Sequence, residues 1–319
     1  MVVPGMAERQ LTFKENEIMQ ILNKVYLHFK EGEFALAIEL LERALEIDFE
    51  YSDIANALKC ANFWREVTER GESAGGDYER GEYYLSQWKV FSGFVSRMEN
   101  VSERCLFSLK FHVFGRALSH YLALYNEGEG LDPAILLRIG RCHKGRGNYE
   151  SAISFIEEAS RQKREDAGIL AELADCYSLV NENKAAKVFF REAFFLDPQA
   201  IELSYLESPM IQRLVSKLRE RFSEADIRDW IPVYGAIYGL FNIKRELRPL
   251  ELGKLKQAIY QLEKDLEQKR PGPLVPRLIN HYFWLIDHYL SCGEERAKID
   301  ELLARIKGLD PGVYREYVN

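Results

Sequence analysis

Residues 133–166 read PAILLRIGRCHKGRGNYESAISFIEEASRQKRED, and residues 167–200 read AGILAELADCYSLVNENKAAKVFFREAFFLDPQA. The second segment repeats the first at a spacing of 34 residues. The positions that recur are Leu136, Gly140, His143, Ala152, Ile156 and Ala159, which return as Leu170, Ala174, Tyr177, Ala186, Phe190 and Ala193. A fixed period of this length indicates a repeat architecture in which each unit packs on its neighbours.

Each copy carries the pattern of two amphipathic helices. Leu136, Ile139 and His143 fall on one helical face, and a second stripe begins at Ala152. Gly147-Asn148 lies between the stripes and supplies a turn glycine with a plausible helix N-cap. Small residues at fixed points allow helix axes to approach closely, so their recurrence reflects helix packing.

The period, the small residues and the ending Leu196-Asp197-Pro198 resemble the tetratricopeptide repeat (TPR), a helix–turn–helix unit. The resemblance implies an all-α fold, a right-handed α-solenoid of antiparallel helix pairs. We expect about seven pairs, of which about five are recognisable as repeats. It also implies that the chain binds other proteins.

The repeat pattern extends on both sides of the central pair, most clearly over 18–200. The predicted organisation is an N-terminal extension (1–17), repeats at about 18–51, 52–98 with an insertion near 70–81, 98–132, 133–166 and 167–200, and a divergent helical region (201–319). Terminal units of a solenoid are expected to be atypical because one face lacks a neighbour. Leu309-Asp310-Pro311 mirrors the ending of the fifth repeat.

Composition excludes several classes of protein. The 319 residues carry a net charge of −7, which disfavours a general nucleic-acid binder. The five cysteines are an odd number without CxxC spacing, so a disulfide framework or zinc site is not expected. The N-terminus shows no secretory signal pattern, and no apolar run approaches the ~20 residues of a membrane span. We therefore predict a cytoplasmic protein without membrane insertion.

No pattern in the sequence nominates an enzyme. Phosphate-binding loops, dinucleotide fingerprints and nucleophile elbows are absent. His281 and His288 are seven residues apart, whereas metal pairs on a helix usually stand four apart. We predict no catalytic residues, no metal site and no cofactor.

In the TPR family, positions 2, 5, 9, 12 and 13 of each unit line a concave groove, and the resemblance transfers that role by position. The groove residues so implied, together with the neighbouring Arg138, are Met19, Leu22, Tyr26, Phe29, Phe63, Trp64, Arg138, Arg141, Lys144 and Asp175. The aromatic members suit an apolar anchor of a peptide or partner helix, unless neighbouring helices or residues 1–17 cover them. The cationic members could grip a carboxylate, or form a solvated face paired with Glu172 and Asp175.

A chaperone C-terminal tail is not an expected ligand. TPR proteins that capture such tails carry lysine and asparagine at positions 5 and 9 of one repeat. Here position 5 is Leu22, Asn56, Leu137 or Ala171, and position 9 is Tyr26, Cys60, Arg141 or Asp175. The predicted function is a non-enzymatic adaptor or scaffold for an unidentified protein partner. The alternative is a structural subunit that uses lateral or C-terminal surfaces.

Overall fold

The computed structural model describes residues 6–71, 75–126, 132–241, 246–268 and 272–319, with side chains from residue 16 onward. Over these ranges the regular structure is entirely helical, as predicted for an all-α fold. The chain folds as two compact units, Met1–Phe155 and Ile156–Asn319. Consecutive helices pack against one another within each unit, as in a TPR-like solenoid.

The helices of the first unit follow one another through short connections. They are α1 (Met6–Glu31), α2 (Phe34–Ile47), α3 (Ser52–Gly71), α4 (Asp77–Val95), α5 (Glu103–Leu124) and α6 (Pro133–Gly145), followed by the start of α7 (Tyr149–Gln162). Helix α1 therefore begins within residues 1–17, the segment predicted as an extension. Part of the predicted insertion, residues 72–74, lies outside the described residues.

The turn between α1 and α2 depends on a glycine. Gly32 has φ +80°, a conformation that L side chains rarely adopt. A Cβ at this position would also lie 2.1 Å from His112 Cε1, because the imidazole of α5 fills the space beside the turn. His112 in turn packs edge-on against Phe34 at the start of α2, with ring centroids 5.4 Å apart. The first helix hairpin is thus held against α5.

Residues 103–124 form a single helix, whereas the sequence predicts a helix pair over 98–132. This segment contains no proline, and its one glycine, Gly115, is accommodated inside α5 beside the side chain of Arg146. A glycine inside a helix costs only about 1 kcal/mol relative to alanine. Burial of apolar residues along the whole length of α5 outweighs that penalty, from Cys105 near its start to Tyr121 in its final turns.

An aromatic cluster holds α3 against α4. Trp64 is fully buried, with its ring centroid 5.2 Å from that of Phe91 and 6.0 Å from that of Trp88. Burial of each such side chain contributes roughly 1.5–3 kcal/mol. The aromatic stripes of the second predicted repeat are therefore core residues of the first unit.

The second unit continues the helical chain. Its helices after α7 are α8 (Ala167–Leu179), α9 (Asn183–Leu196), α10 (Pro209–Arg219), α11 (Ile227–Ile237), α12 (Pro249–Gln268), α13 (Leu274–Cys292), α14 (Arg296–Leu309) and α15 (Pro311–Val318). A buried ion pair joins α9 to α13, with Arg191 Nη2 2.5 Å from Asp287 Oδ2. The same guanidinium lies 4.3 Å from the ring centroid of Trp284.

Asp-Pro dipeptides begin helical segments at three places. Asp132, Asp197 and Asp310 each accept a backbone N–H two residues further on, and proline follows at the first helical position. Proline is tolerated there because its missing N–H would have no helical partner. The Leu-Asp-Pro ending of a repeat is therefore the start signal of the next helical turn. None of the described helices is both long and apolar enough to cross a lipid bilayer.

Candidate protein-binding surfaces

Most aromatic residues predicted to line the groove are buried. Leu22, Phe29 and Trp64 expose at most 1% of their surface, and Tyr26 exposes 6%. Helix α5 packs along α1 and accounts for part of this burial. Side chains without exposed surface cannot contact a partner in this conformation. Met19 differs, because 45% of its surface is open to solvent.

Phe63 is only partly buried, but its ring is occupied within the first unit. It stacks on Phe94 with ring centroids 5.7 Å apart and lies 5.1 Å from Phe91. Both of these neighbours belong to α4. The ring therefore closes the α3–α4 contact.

Arg138 serves a structural network around Glu82. Its Nε donates to Glu82 Oε1, and the Tyr121 hydroxyl donates to the same oxygen at 2.6 Å. The Arg138 guanidinium also lies 5.2 Å from the ring centroid of Tyr78. Burial alone would raise the pKa of Glu82, but the hydrogen bonds from Arg138 and Tyr121 outweigh burial and hold it below its usual value. Arg138 therefore connects α6 to α4 through its hydrogen bond to Glu82.

The remaining polar groove residues are buried rather than solvated. Arg141 and Lys144 expose 7% and 2% of their surfaces, and each already interacts within the fold. Asp175 is fully buried. Its carboxylate accepts hydrogen bonds from the backbone N–H of Glu207 at 2.9 Å and of Ser208 at 2.7 Å. Asp175 therefore fastens the chain that leads into α10.

A cleft between α1 and α5 is the opening that sequence reasoning missed. It has a volume of about 560 Å³ and lies wholly within the first unit. Its aromatic, apolar and charged lining residues are Tyr26, Leu27, Lys30, Glu103, Arg104 and Phe107. Of these, only Tyr26 and Lys30 occupy positions 9 and 13 of the first repeat, which the sequence predicts to line a groove. The others escaped because Leu27 is not a groove position of the repeat and α5 was expected to be two helices.

The walls of this α1–α5 cleft combine exposed apolar surface with cations. Leu27 exposes 55% of its surface and Phe107 exposes 47%. Lys30 Nζ lies 5.2 Å from the ring centroid of Phe107, and the Arg104 guanidinium lies 5.7 Å from that of Tyr26. Among the residues with described side chains, neither cation forms an ion pair with a carboxylate.

Three potential metal ligands meet at the α1–α2 turn, although the sequence predicted no metal site. The ligand atoms of His28, Glu31 and Glu33 lie within 4.8 Å of one another. His28 Nδ1 is 2.6 Å from Glu33 Oε2, so the imidazole already has a partner. The two carboxylates are exposed, and such groups are common on protein surfaces without a bound ion.

The comparison with protein families agrees with the 34-residue period. The tetratricopeptide repeat model matches residues 21–51 and 133–166, which correspond to α1–α2 and α6–α7. These two segments are thus tetratricopeptide repeats. No curated protein matches the chain.

Proposed function

We propose that this tetratricopeptide repeat protein is a non-enzymatic adaptor that binds an acidic, partly apolar segment of a partner protein in the α1–α5 cleft. Tetratricopeptide repeats indicate a protein–protein interaction scaffold in general. The observation that supports this particular surface is the pairing of exposed Leu27 and Phe107 with Lys30 and Arg104.

The apolar part of the proposal rests on exposure. Large apolar side chains that remain about half exposed beside a cleft are anchor positions for a partner residue, since contact there removes apolar surface from water. Leu27 extends from α1 and Phe107 from α5, so an inserted side chain would contact both helices. The neighbouring Tyr26 closes the inner wall.

The charge of the partner follows from the two cations. Lys30 and Arg104 lie over aromatic rings and keep their capacity to bind carboxylates. Glu103 is the one acidic residue of the cleft, so positive charge predominates among the residues that line it. A partner segment that places Asp or Glu beside an apolar residue is complementary to this surface. Binding should weaken as salt rises, because exposed charge pairs are screened.

The test is selection from a display library of short peptides, followed by titration of the selected peptides. Peptides that bind the full chain should share an apolar residue next to Asp or Glu. The double variant Leu27→Ser/Phe107→Ser should weaken binding at least about tenfold, because each anchor contributes on the order of 1 kcal/mol. Both side chains are too exposed for their loss to unfold the helices.

The matched control is Leu36→Ser/Val90→Ser, which removes two side chains of similar exposure (46% and 57%) from α2 and α4 of the same unit. Circular dichroism verifies that both variants are folded. Equal loss of binding in both variants would show a general effect of surface polarity. Unchanged binding in the cleft variant, or selected peptides without acidic residues, would refute the proposed site.

The alternative is a structural subunit of a larger assembly. The strongly exposed apolar residues in the second unit, such as Leu250 and Tyr260 on α12, occur singly on their helix surfaces, which is ordinary for a folded protein. The adaptor is therefore the preferred proposal. A cytoplasmic location and the exclusion of nucleic acid as a partner remain predictions from the sequence.

A further inference from the structure

The second unit contains a separate cleft of about 290 Å³ among α9, α11, α12 and α13. Phe194 and Pro232 are buried beside it, and Phe195 and Leu262 form partly exposed walls. Most of this lining is apolar and aromatic. Small-molecule sites have this character and begin at about 300 Å³, so the cleft has room for one ring-sized group.

An amide lies in this apolar lining. Asn280 exposes only 5% of its surface, and its side chain makes no hydrogen bond to any residue that the structure describes. Its amide atoms are not among the fully buried polar atoms, so the amide reaches the space of the cleft that Asn280 lines. The amide can therefore donate a hydrogen bond to a ligand in the cleft and accept one from it.

His281 adds a second open polar atom. Its Nδ1 is 2.7 Å from the carbonyl oxygen of Arg277, and a carbonyl can only accept, so Nδ1 carries the proton. Burial lowers the pKa of His281 below its usual value, and the nearby Arg277 charge acts in the same direction. The ring is thus neutral near pH 7, and Nε2 is an acceptor. No described group donates to it.

The charge of the cleft is balanced. Arg277 Nε donates to Asp229 Oδ1 at 3.1 Å, and Gln199 Nε2 donates to the other carboxylate oxygen at 2.8 Å. Arg277 thus lines the cleft with its charge already paired to Asp229. A neutral ligand fits this environment better than a carboxylate, because an added anion would have to compete with Asp229 for the guanidinium.

From these groups we infer that the cleft binds a phenol, as a tyrosine side chain of a partner or as a free phenolic compound. The ring packs against Phe195 and Leu262, the hydroxyl donates to His281 Nε2, and the hydroxyl oxygen accepts from the Asn280 amide. A phenol offers one donor and an acceptor at the end of an apolar ring and is neutral below about pH 10. This site is independent of the α1–α5 cleft.

The experiment follows the imidazole signals of His281 by NMR in the full chain during titration with 4-methylphenol. The signals are assigned from their loss in His281→Phe. Saturable shifts are expected, and 4-methylphenol should bind about threefold to tenfold more tightly than 4-methylanisole, which lacks the donor. N-acetyl-tyrosinamide distinguishes the two kinds of ligand. If it binds, the cleft accepts a tyrosine side chain; if it does not bind although 4-methylphenol does, the ligand is a free phenol.

Two asparagine variants separate a binding role from a structural one. Asn280→Leu should weaken 4-methylphenol about threefold to tenfold while leaving thermal stability unchanged or higher. Asn56→Leu is the control, because Asn56 is also buried but donates to the Glu99 carbonyl at 2.8 Å. That variant should lose stability and keep phenol binding. His281→Phe, read out from the signals of the probe, replaces Asn280→Leu if the latter does not fold.

Three results would overturn the inference. The first is the absence of saturable shifts with 4-methylphenol. The second is equal affinity for 4-methylanisole, which would leave the hydroxyl without a role. The third is tighter binding of 4-methylbenzoate than of the phenol, which would show that Arg277 sets the ligand class.

Discussion

Replacement of Asp175 by alanine should destabilise the second unit rather than remove a partner contact. The carboxylate is fully buried and accepts the backbone N–H of Glu207 with both oxygens at 2.9 Å. Its Oδ1 also accepts the N–H of Ser208 at 2.7 Å. These amides lie immediately before α10, where a helix N-terminus has no helical acceptors of its own.

The magnitude follows from the two amides that would lose their acceptor. Each buried, unsatisfied group costs about 1–3 kcal/mol, so Asp175→Ala should lower the free energy of unfolding by about 3 kcal/mol. Asp175→Asn keeps one oxygen and should lose less, about 1–2 kcal/mol. Ser178→Ala is the neighbouring control. It removes only the neutral 2.7 Å contact with the Ser208 hydroxyl and should cost about 1 kcal/mol.

Urea unfolding followed by circular dichroism measures the three losses. Hydrogen exchange of the Glu207 and Ser208 amides locates the effect, because both should exchange faster in Asp175→Ala. Unchanged stability together with unchanged exchange would refute the capping role. Loss of a captured partner without loss of stability would instead restore Asp175 to the groove that the sequence predicts.

Three further perturbations test the packing of the core. Gly145→Ala places a Cβ 2.3 Å from Phe114 Cδ1 and should cost about 1–3 kcal/mol, whereas Gly93→Ala has open space and should be neutral or stabilising in thermal melts. Burial lowers the pKa of His112 from 6.5 to about 4. The stabilising contribution of the neutral imidazole should therefore be complete above pH 6.5, and the free energy of unfolding should fall by at most about 3 kcal/mol as the pH drops towards 4. Denaturation of His112→Phe should lack this part of the pH dependence. Arg191→Ala removes the cation of a largely buried ion pair and should cost about 3–5 kcal/mol in urea unfolding.

The helices of the repeats could be predicted from sequence because their signals are local. The 34-residue period, the turn at Gly147-Asn148 and the Asp-Pro starts each act within a few residues of chain. Local signals also explain the error at α5. A glycine inside an amphipathic stretch can end a helix or be tolerated within it, and only the neighbours that pack against both ends decide between these outcomes.

The binding surface could not be predicted in the same way. Helical spacing shows that Leu22, Tyr26 and Phe29 share one face of α1, but it does not identify the helix that covers this face. Helix α5 begins 72 residues after α1 ends, since it starts at Glu103 and α1 stops at Glu31. A single sequence carries no signal for a contact at that separation. Leu27 lies beside the covered face, and it is a candidate anchor only because Phe107 of α5 lines the same cleft.

Because α5 is a single helix, the first helices of the two matched repeats run in opposite directions. Contacts from Tyr26 to Arg104 and from Gly32 to His112 show that α5 runs parallel to α1. Helix α6 runs the other way along α5, since Gly145 lies by Phe114 and Arg138 shares Glu82 with Tyr121. The three helices α3, α4 and α5 separate the two matched hairpins, and this odd number turns α6 antiparallel to α1.

A partner strand that follows α1 from its N-terminus to its C-terminus would therefore meet α6 in the opposite sense. A partner that contacted both hairpins in the same orientation would therefore need two short segments, or a reversal of its own chain between them.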